Sequence, residues 1–508
     1  MSHRWKLFLV VAVVMLLLTG IWVATMHWTA DSDVDAYRKS LIAKGEELEI
    51  AEVLPPPVPV EQNGAELVQE AFSLFVPASN DISNIPSAMR MVAPGKAIVC
   101  FKQPDVRGYD FTNSWSNIMD VVEAERPAIE LLKQTMNYPA LDFHVEYEKW
   151  PNTPLTHLAP FKRCVISLSS AAMCDLHEGD TGSATTNICA MLGLVNGWQD
   201  ERFLISQLVR MAMVQIAVRP IWEYLQSTNV SDVELAMLQT NWEKLEFTHA
   251  MENAILMERA STESVIKRMR TSSQFFNEIV VGGPATSGSW GSSMDFWDSV
   301  KFTGAKFMWR ASWTYSDELQ MLQNYQLVLK TLRTTETNGF FNPAYSNMVN
   351  QLQANEPTND PDSWIDKMDE KGLQRMFSED AFGTGSLNRV MAMEAAREII
   401  ITAIALKRYQ LKYGDYPTNL DSLVPQFVAA VPIDPVDGRR LRYRLNAGGT
   451  YLLYSIGQDG KDDGGDPSLG ASVRNPNLDW LNRRALDWVW PQPATKAEIE
   501  YFYAHPPK

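Results

Sequence analysis

YGDYPT (residues 413–418) is followed along the chain by VPIDP (431–435) and then by YSIGQDGKDDGGD (454–466). A long helical pattern leads into the first of these segments. Gly414 suits the left-handed cap that ends many helices, and Pro417 cannot continue one. We therefore expect a long helix from about residue 386 to Tyr413, followed by a chain reversal.

Two short strand-like segments come next, Arg440 to Leu445 and Thr450 to Ser455. The NAGG sequence between them is favourable for a β-hairpin turn. Between the helix and the hairpin, Thr418 and Asp421 have the spacing to cap a short helix. The order of helix, proline corner, hairpin and Asp/Gly loop predicts a small α+β module at residues 386–508.

The Asp/Gly loop that follows the hairpin offers hard oxygen ligands on a tightly turning backbone. Calcium takes about six to eight such oxygens. The candidate ligands are the carboxylates of the loop, a later aspartate and two main-chain carbonyl positions: Asp459, Asp462, Asp463, Asp466, Asp487, Ser455 and Gly457. The spacing is not that of an EF-hand, since the glutamate at its twelfth position is missing. A solvated acidic turn explains the same residues, and both interpretations stay open at this point.

The segment from about Arg397 to Asp466 resembles the soluble domain of type II secretion system protein G, the major pseudopilin. The resemblance rests on YPT at 416–418, PIDP at 432–435 and SIGQDG at 455–460, which occur in the family's order. It implies an α+β module with a calcium loop, and it favours calcium over a solvated turn. In the family, however, the apolar N-terminal helix runs directly into the module, whereas here the apolar stretch lies far upstream.

That apolar stretch, residues 7–24, reads LFLVVAVVMLLLTGIWVA and contains no charge. At about 1.5 Å per residue it approaches the roughly 30 Å thickness of a bilayer core. Arg4 and Lys6 precede it, and the first carboxylate after it is Asp31. The positive-inside rule then predicts a single-pass anchor in the inner membrane with the bulk of the chain in the periplasm. A cleaved signal peptide is the alternative.

The region between anchor and module is predominantly helical in pattern. We divide the chain into an anchor (1–30), an amphipathic helix with a Pro-rich spacer (31–62), an α-helical domain (63–385) and the module (386–508). Ser231 and Glu234 have capping-box spacing at the start of one helix. Helices joined by Gly-Asp turns resemble tetratricopeptide-type hairpins, although the repeat period is not kept. The predicted fold class is mainly α.

The four cysteines are Cys100, Cys164, Cys174 and Cys189. Cys164 and Cys174 lie about 15 Å apart if both are on one helix, too far for a disulfide. A bridge from either of them to Cys189 is compatible with a helical hairpin, and so are free buried thiols. No CxxC pair is present, which argues against a zinc ribbon.

The sequence offers no complete catalytic motif. Cys174 with His177, and His249 with Glu252, are isolated pairs that lack further clustered ligands. A formal charge of −16 disfavours nucleic acid as a partner. We therefore predict a non-catalytic, membrane-anchored interaction or structural protein, secretion-associated, with a protein partner in the envelope.

Two alternatives remain. One is a component of the type II secretion pseudopilus, which the C-terminal resemblance suggests. The other is an envelope hydrolase assembled from scattered residues such as His144, His157 and Glu178, which requires those side chains to meet in one pocket.

Overall fold

The computed structural model describes residues 3–75, 82–108, 111–282, 306–307, 309–355, 384–469, 480 and 485–505. The α-helices in these ranges are α1 His3–Ile42, α2 Ala65–Leu74, α3 Trp115–Gln134, α4 Leu158–Glu178, α5 Thr181–Gly197, α6 Leu204–Leu225, α7 Asp232–Glu243, α8 Thr248–Thr271, α9 Ser273–Gly282, α10 Thr314–Asn338, α11 Ala344–Asn355, α12 Thr384–Tyr413 and α13 Lys496–Ala504. The strands are β1 Arg90–Ala93, β2 Lys96–Ile98, β3 Val106–Arg107, β4 Thr112–Asn113, β5 Arg442–Leu445, β6 Tyr451–Ile456, β7 Asp487–Val489 and β8 Gln492–Pro493. The mainly helical fold class is thus confirmed.

The first helix is longer than the sequence pattern indicates. A separate amphipathic helix starting near Asp33 was expected after the anchor, but α1 runs without interruption from His3 to Ile42. At about 1.5 Å per residue it is roughly 60 Å long. Its apolar N-terminal half is long and apolar enough to cross a membrane, and none of its most apolar window is buried in the protein. α6 meets the same length and composition criteria, but most of it is buried in the core.

The second half of α1 and the segment after it belong to the body of the protein. Val34, Leu41, Leu48 and Val53 are all buried. The main-chain carbonyl of Val53 accepts a hydrogen bond of 2.8 Å from Nη1 of Arg202 in the helical region. The chain that leads to the predicted Pro-rich spacer is therefore fixed to the body up to the start of the proline run.

The helical body is built from helices that carry their own local signals. α4 ends at Gly179, whose φ is +84°, and Asp180 then caps α5 by accepting the amide of Ser183. The predicted capping box at the start of α7 is confirmed, because Ser231 and Glu234 each accept the other's backbone amide. A tetratricopeptide-like repeat stays a prediction.

The C-terminal module has the predicted helix and hairpin. α12 ends at Gly414, with φ +92°, and β5 pairs with β6 in antiparallel register, Leu445 opposite Tyr451. The short helix between them, Leu420–Leu423, is a 3₁₀-helix capped by Asn419 and not by Thr418. Asn419 lies one residue closer to the helix and accepts the amide of Ser422 at 3.3 Å.

Module and body share one hydrophobic core. The same connected set of buried side chains includes Val68 of α2 and Trp488 of β7. Strand β8 also pairs with β2, which lies in a region with little strand alternation, to form a three-stranded sheet of order β1-β2-β8. The indole nitrogen of Trp222 in α6 donates to the carbonyl of Pro491 at 2.9 Å. The boundary at 385/386 stays a prediction, since residues 356–383 lie outside the described ranges.

Candidate metal centre

The Asp/Gly loop connects β6 to β7. These strands pair in antiparallel register with Ile456 opposite Asp487, so Asp487 lies beside the start of the loop although it is distant in sequence. Gly457 is the first loop residue and packs closely against the backbone just before β7. An added Cβ would be 2.0 Å from the carbonyl oxygen of Leu486. Glycine is thus required where the loop leaves the sheet.

Asp487 is the most buried of the predicted carboxylate ligands, with only 1% of its surface exposed. Its Oδ2 accepts hydrogen bonds from the amides of Gly465 at 2.9 Å and Asp466 at 3.1 Å. Its Oδ1 is buried and has no hydrogen-bond partner. Burial raises the pKa of Asp487 above its usual value, although the backbone hydrogen bonds oppose this. A buried carboxylate oxygen without a hydrogen-bond partner destabilises the fold, so Oδ1 of Asp487 is the predicted ligand atom that most needs a partner.

Asp462 makes a different set of contacts. Its Oδ1 accepts from the hydroxyl of Tyr454 at 2.9 Å and from the amide of Gly464 at 3.0 Å. Its Oδ2 accepts from Nε of Arg442 at 3.3 Å. Desolvation disfavours the charged carboxylate, but these hydrogen bonds outweigh it and lower the pKa of Asp462. Asp462 is therefore ionised and already carries a cationic partner.

The remaining loop carboxylates, Asp459, Asp463 and Asp466, are exposed. Asp459 accepts the amide of Lys461 at 3.1 Å, and Asp466 accepts the amide of Ser468 at 2.9 Å. Both are local turn contacts of the kind aspartate makes with its own backbone.

Ser455 and Gly457 were predicted to contribute main-chain carbonyls. The carbonyl of Gly457 accepts the amide of Gly460 at 3.1 Å. The hydroxyl of Ser455 is buried and donates to Oδ1 of Asp434 at 2.7 Å. The structure therefore brings Asp487 and the loop backbone together, while the other four carboxylates are exposed.

Asp434 lies at the centre of the module's polar contacts, a role that was not predicted from the sequence. It is fully buried, and its two oxygens accept from the amides of Val436 and Ile456, both at 3.0 Å, and from the hydroxyl of Ser455. Nη1 of Arg442 adds an ion pair at 2.6 Å. The DP corner at 434–435 was the available signal, but it was used as evidence of a turn and not of a buried carboxylate.

Within the described residues, one group of three His, Cys, Asp or Glu ligand atoms lies within 4.8 Å of one another: His249, Glu252 and Glu336. The loop carboxylates do not form such a group. Glu252 accepts from Nε of Arg333 at 2.6 Å, so the guanidinium of Arg333 already provides the positive charge that a metal ion would bring to this group. The pair His249 and Glu252, noted in the sequence, is thus explained by an ion-pair cluster between α8 and α10.

The candidate hydrolase residues have separate neighbours. His144 is exposed and contacts Asp142 at 3.2 Å. His157 is buried and contacts Glu201 at 3.0 Å. Glu178 lies exposed at the end of α4. The contacts of these three residues do not join them to one another.

The cysteines are all buried and free, so the two possible disulfides with Cys189 do not form. Burial raises the pKa of Cys174 to about 12. The ring of His177 stacks on Trp115 with centroids 4.3 Å apart, and its Nδ1 donates to the carbonyl of Phe101 at 2.8 Å. Burial therefore keeps the Cys174 thiol protonated at neutral pH, and His177 is held in place by its hydrogen bond to Phe101 and its stacking on Trp115.

Comparisons with family models, with curated proteins and with solved structures gave no match to this chain. The resemblance of the C-terminal module to type II secretion protein G therefore remains a prediction from the sequence.

Proposed function

We propose that the chain is a non-catalytic, membrane-anchored protein with an interaction or structural role in the cell envelope. The observation that carries this proposal is the exposure of the apolar half of α1. Phe8, Leu17 and Ile21 are each more than 60% exposed, on a helix whose other half is packed into the body. Large apolar side chains in such a continuous stretch are stable when lipid covers them.

The direction of insertion follows from the flanking charges. Arg4 and Lys6 precede the apolar stretch and favour the cytoplasmic side. The body then lies on the extracytoplasmic side of the inner membrane, where an envelope protein partner is its natural ligand. A secretion-associated role is supported by the order of helix, DP corner, hairpin and Asp/Gly loop in the module.

Calcium is the ligand that we propose for the module. Asp487 Oδ1 is a buried carboxylate oxygen that lacks a partner, and the loop beside it contributes carbonyl oxygens and exposed carboxylates. A hard divalent cation bound at this point supplies the missing partner and offsets the desolvation of the carboxylate. Asp462 already pairs with Arg442, so we expect one ion and not two.

Anchoring is tested by alkaline extraction of membranes from cells that express the full chain. We expect the protein to stay in the membrane pellet. Replacing both Leu17 and Leu18 with Arg is expected to release it, because each charge at the middle of a span costs about 2.5–3.5 kcal/mol. The matched control replaces the exposed body residues Val233 and Met237 with Arg, which should leave the protein in the pellet. Extraction of the unaltered protein would rule out the anchor.

Calcium binding is tested on the full chain in detergent. Millimolar calcium is expected to raise the Tm relative to a chelator, and Asp487→Asn is expected to remove the effect. Asp415→Asn, which changes an exposed aspartate outside the loop, is the control and should keep the full shift. An unchanged Tm for the unaltered protein in calcium and chelator would remove the metal from the proposal.

A further inference from the structure

Ion pairs fix the direction of α8 relative to α1. Beyond the C-terminal end of α1, Oε2 of Glu46 lies 3.0 Å from Nη2 of Arg259. Closer to the apolar half of α1, Nη1 of Arg38 lies 2.8 Å from Oε1 of Glu263, which is one turn further along α8 than Arg259. Residue numbers in α8 therefore increase towards the apolar half of α1, and α8 ends at the membrane-proximal side of the body.

α10 runs in the opposite direction. Oε1 of the same Glu46 accepts from Nε2 of Gln326 at 2.8 Å. Nearer the apolar half, the rings of His27 and Tyr315 meet edge to face with centroids 5.0 Å apart. The start of α10 is thus level with His27. The end of α8 and the start of α10 therefore both lie at the end of the body that faces the apolar half of α1. Residues 306–307 and 309–313, which precede α10 and are called the turn here, lie at the same end.

The height of this turn can be placed against a bilayer. His27 lies three residues beyond Ala24, where the apolar stretch ends, which is about 5 Å along the helix. The headgroup layer on each side of a bilayer is roughly 5–8 Å deep. Tyr315, level with His27, falls in that layer. The π-helix Trp309–Trp313 comes just before α10 and packs against α1, so it continues towards the hydrocarbon.

The side chains at this turn have the composition of a membrane interface. Phe307 is 65% exposed. On either side of it, Nζ of Lys306 donates to Oδ1 of Asn277 at 2.7 Å and Nε of Arg310 donates to the carbonyl of Arg270 at 2.9 Å. These two bonds hold the segment against the end of α8 and the middle of α9. Aromatic rings flanked by Lys and Arg are favoured at the headgroup level.

The geometry points to a second membrane contact. We propose that the turn just before α10, residues 306–307 and 309–313, enters the interfacial layer of the bilayer that α1 crosses, with Phe307 inserted among the lipid chains. The partner is a phospholipid surface. This inference rests on the proposed anchoring by α1, and it adds that the body is seated on the membrane and does not hang from a flexible tether.

The test uses the full chain in phosphatidylcholine nanodiscs with a nitroxide label at one introduced cysteine. The labelled positions are Phe307→Cys, Leu17→Cys in the apolar stretch, and Val233→Cys, a 73% exposed site on α7. The four native cysteines are buried, and labelling of the unaltered protein measures any background. Power-saturation EPR then compares collisions with oxygen, which concentrates in lipid, and with a water-soluble nickel complex.

We expect the ratio of oxygen collisions to nickel collisions for the label at 307 to lie between the ratios at positions 17 and 233. The label at 233 should be fully aqueous. A value at 307 equal to that at 233, with 17 in lipid, overturns the second contact and leaves the anchor standing. Aqueous values at both 17 and 307 overturn the anchor and the second contact together. A second variant, Phe307→Ser with its Tm unchanged, is expected to make a label at the neighbouring Lys306→Cys more aqueous.

Discussion

The C-terminal module and the junction of α1 with the body are both rich in charged contacts, but the contacts differ in range. In the module, Asp434 and Arg442 are eight residues apart in sequence. At the junction, Glu46 and Arg259 are 213 residues apart, and Glu46 and Arg333 are 287 apart. Contacts between residues close in sequence can be predicted from a local motif, whereas contacts between distant residues are seen only in the folded structure. The junction was therefore not predicted, and residues 31–62 were expected to be a separate amphipathic helix followed by a Pro-rich spacer.

The largest effect is expected at the junction. Arg259 is fully buried, and its Nη1 and Nη2 bond Gln326 at 2.8 Å and Glu46 at 3.0 Å. Arg259→Ala leaves Glu46 with one cationic partner fewer in a buried site, and such changes cost about 3–5 kcal/mol. Urea unfolding in detergent measures the loss. Lys330→Ala on the surface of α10 is the control, and a loss for Arg259→Ala no greater than for that control would contradict the importance of the junction.

The next effect concerns pH and lies outside both regions. Glu223 of α6 is fully buried and accepts the amides of Met89 at 2.7 Å and Cys100 at 3.0 Å. Burial raises its pKa to about 7 despite these hydrogen bonds. Since the folded pKa exceeds the unfolded one of about 4.3, its protonated form favours the fold. That contribution is complete below about pH 4 and lost as pH rises through 7.

The corresponding experiment compares urea unfolding at pH 5 and pH 8. We expect the unaltered protein to lose roughly 2–3 kcal/mol more between these values than Glu223→Gln, which cannot titrate. Glu61→Gln, at an exposed position, should behave like the unaltered protein. Equal pH dependence in Glu223→Gln and the unaltered protein would show that Glu223 is ionised throughout.

A smaller effect is expected in the module. Asp434→Asn keeps the size of the side chain but removes the charge that pairs with Arg442 and one acceptor of the buried cluster. Hydrogen bonds to charged groups contribute about 1.5–3 kcal/mol, and we expect a loss of about 2 kcal/mol. Thermal unfolding by circular dichroism measures it. Asp421→Asn, in the exposed pair with Arg440, should lose less than half as much, and equal losses would remove the distinction between the two carboxylates.

The smallest effect tests a purely local signal. Ser231→Ala removes the hydroxyl that accepts the amide of Glu234 at 3.2 Å. Loss of such a cap costs about 1 kcal/mol. Ser231→Asn, which retains a capping oxygen, should restore most of it. If the two variants have the same Tm, the capping box does not contribute to the stability of α7.

The range of the contacts explains which parts of the structure could be predicted from the sequence. Gly414, the hairpin at 442–456 and the capping box at Ser231 were predictable, because each signal lies within a few residues of the structure it produces. The sheet that joins β2 to β8 was not, since Lys96 pairs with Gln492 across most of the chain. The continuity of α1 was obscured because its second half changes from apolar to charged at Asp31.

The candidate site divides in the same way. The Asp/Gly loop was recognisable from composition, and Asp487 was correctly placed beside it. The buried role of Asp434 was not recognisable, because a DP pair signals a turn whether its carboxylate faces solvent or the core. Likewise nothing in the sequence distinguishes Asp462, which pairs with Arg442, from the exposed Asp463 beside it.

The proposed attachment of the body to the membrane depends most on α1 being one helix that passes from the membrane into the body. The most direct measurement is the intact mass of the protein recovered from alkali-washed membranes after expression of the full chain. We predict a chain that retains the residues of α1 and remains in the membrane pellet. A soluble protein shortened by cleavage between Ala24 and Asp35 would contradict the account, because the helix that joins membrane and body would then be absent.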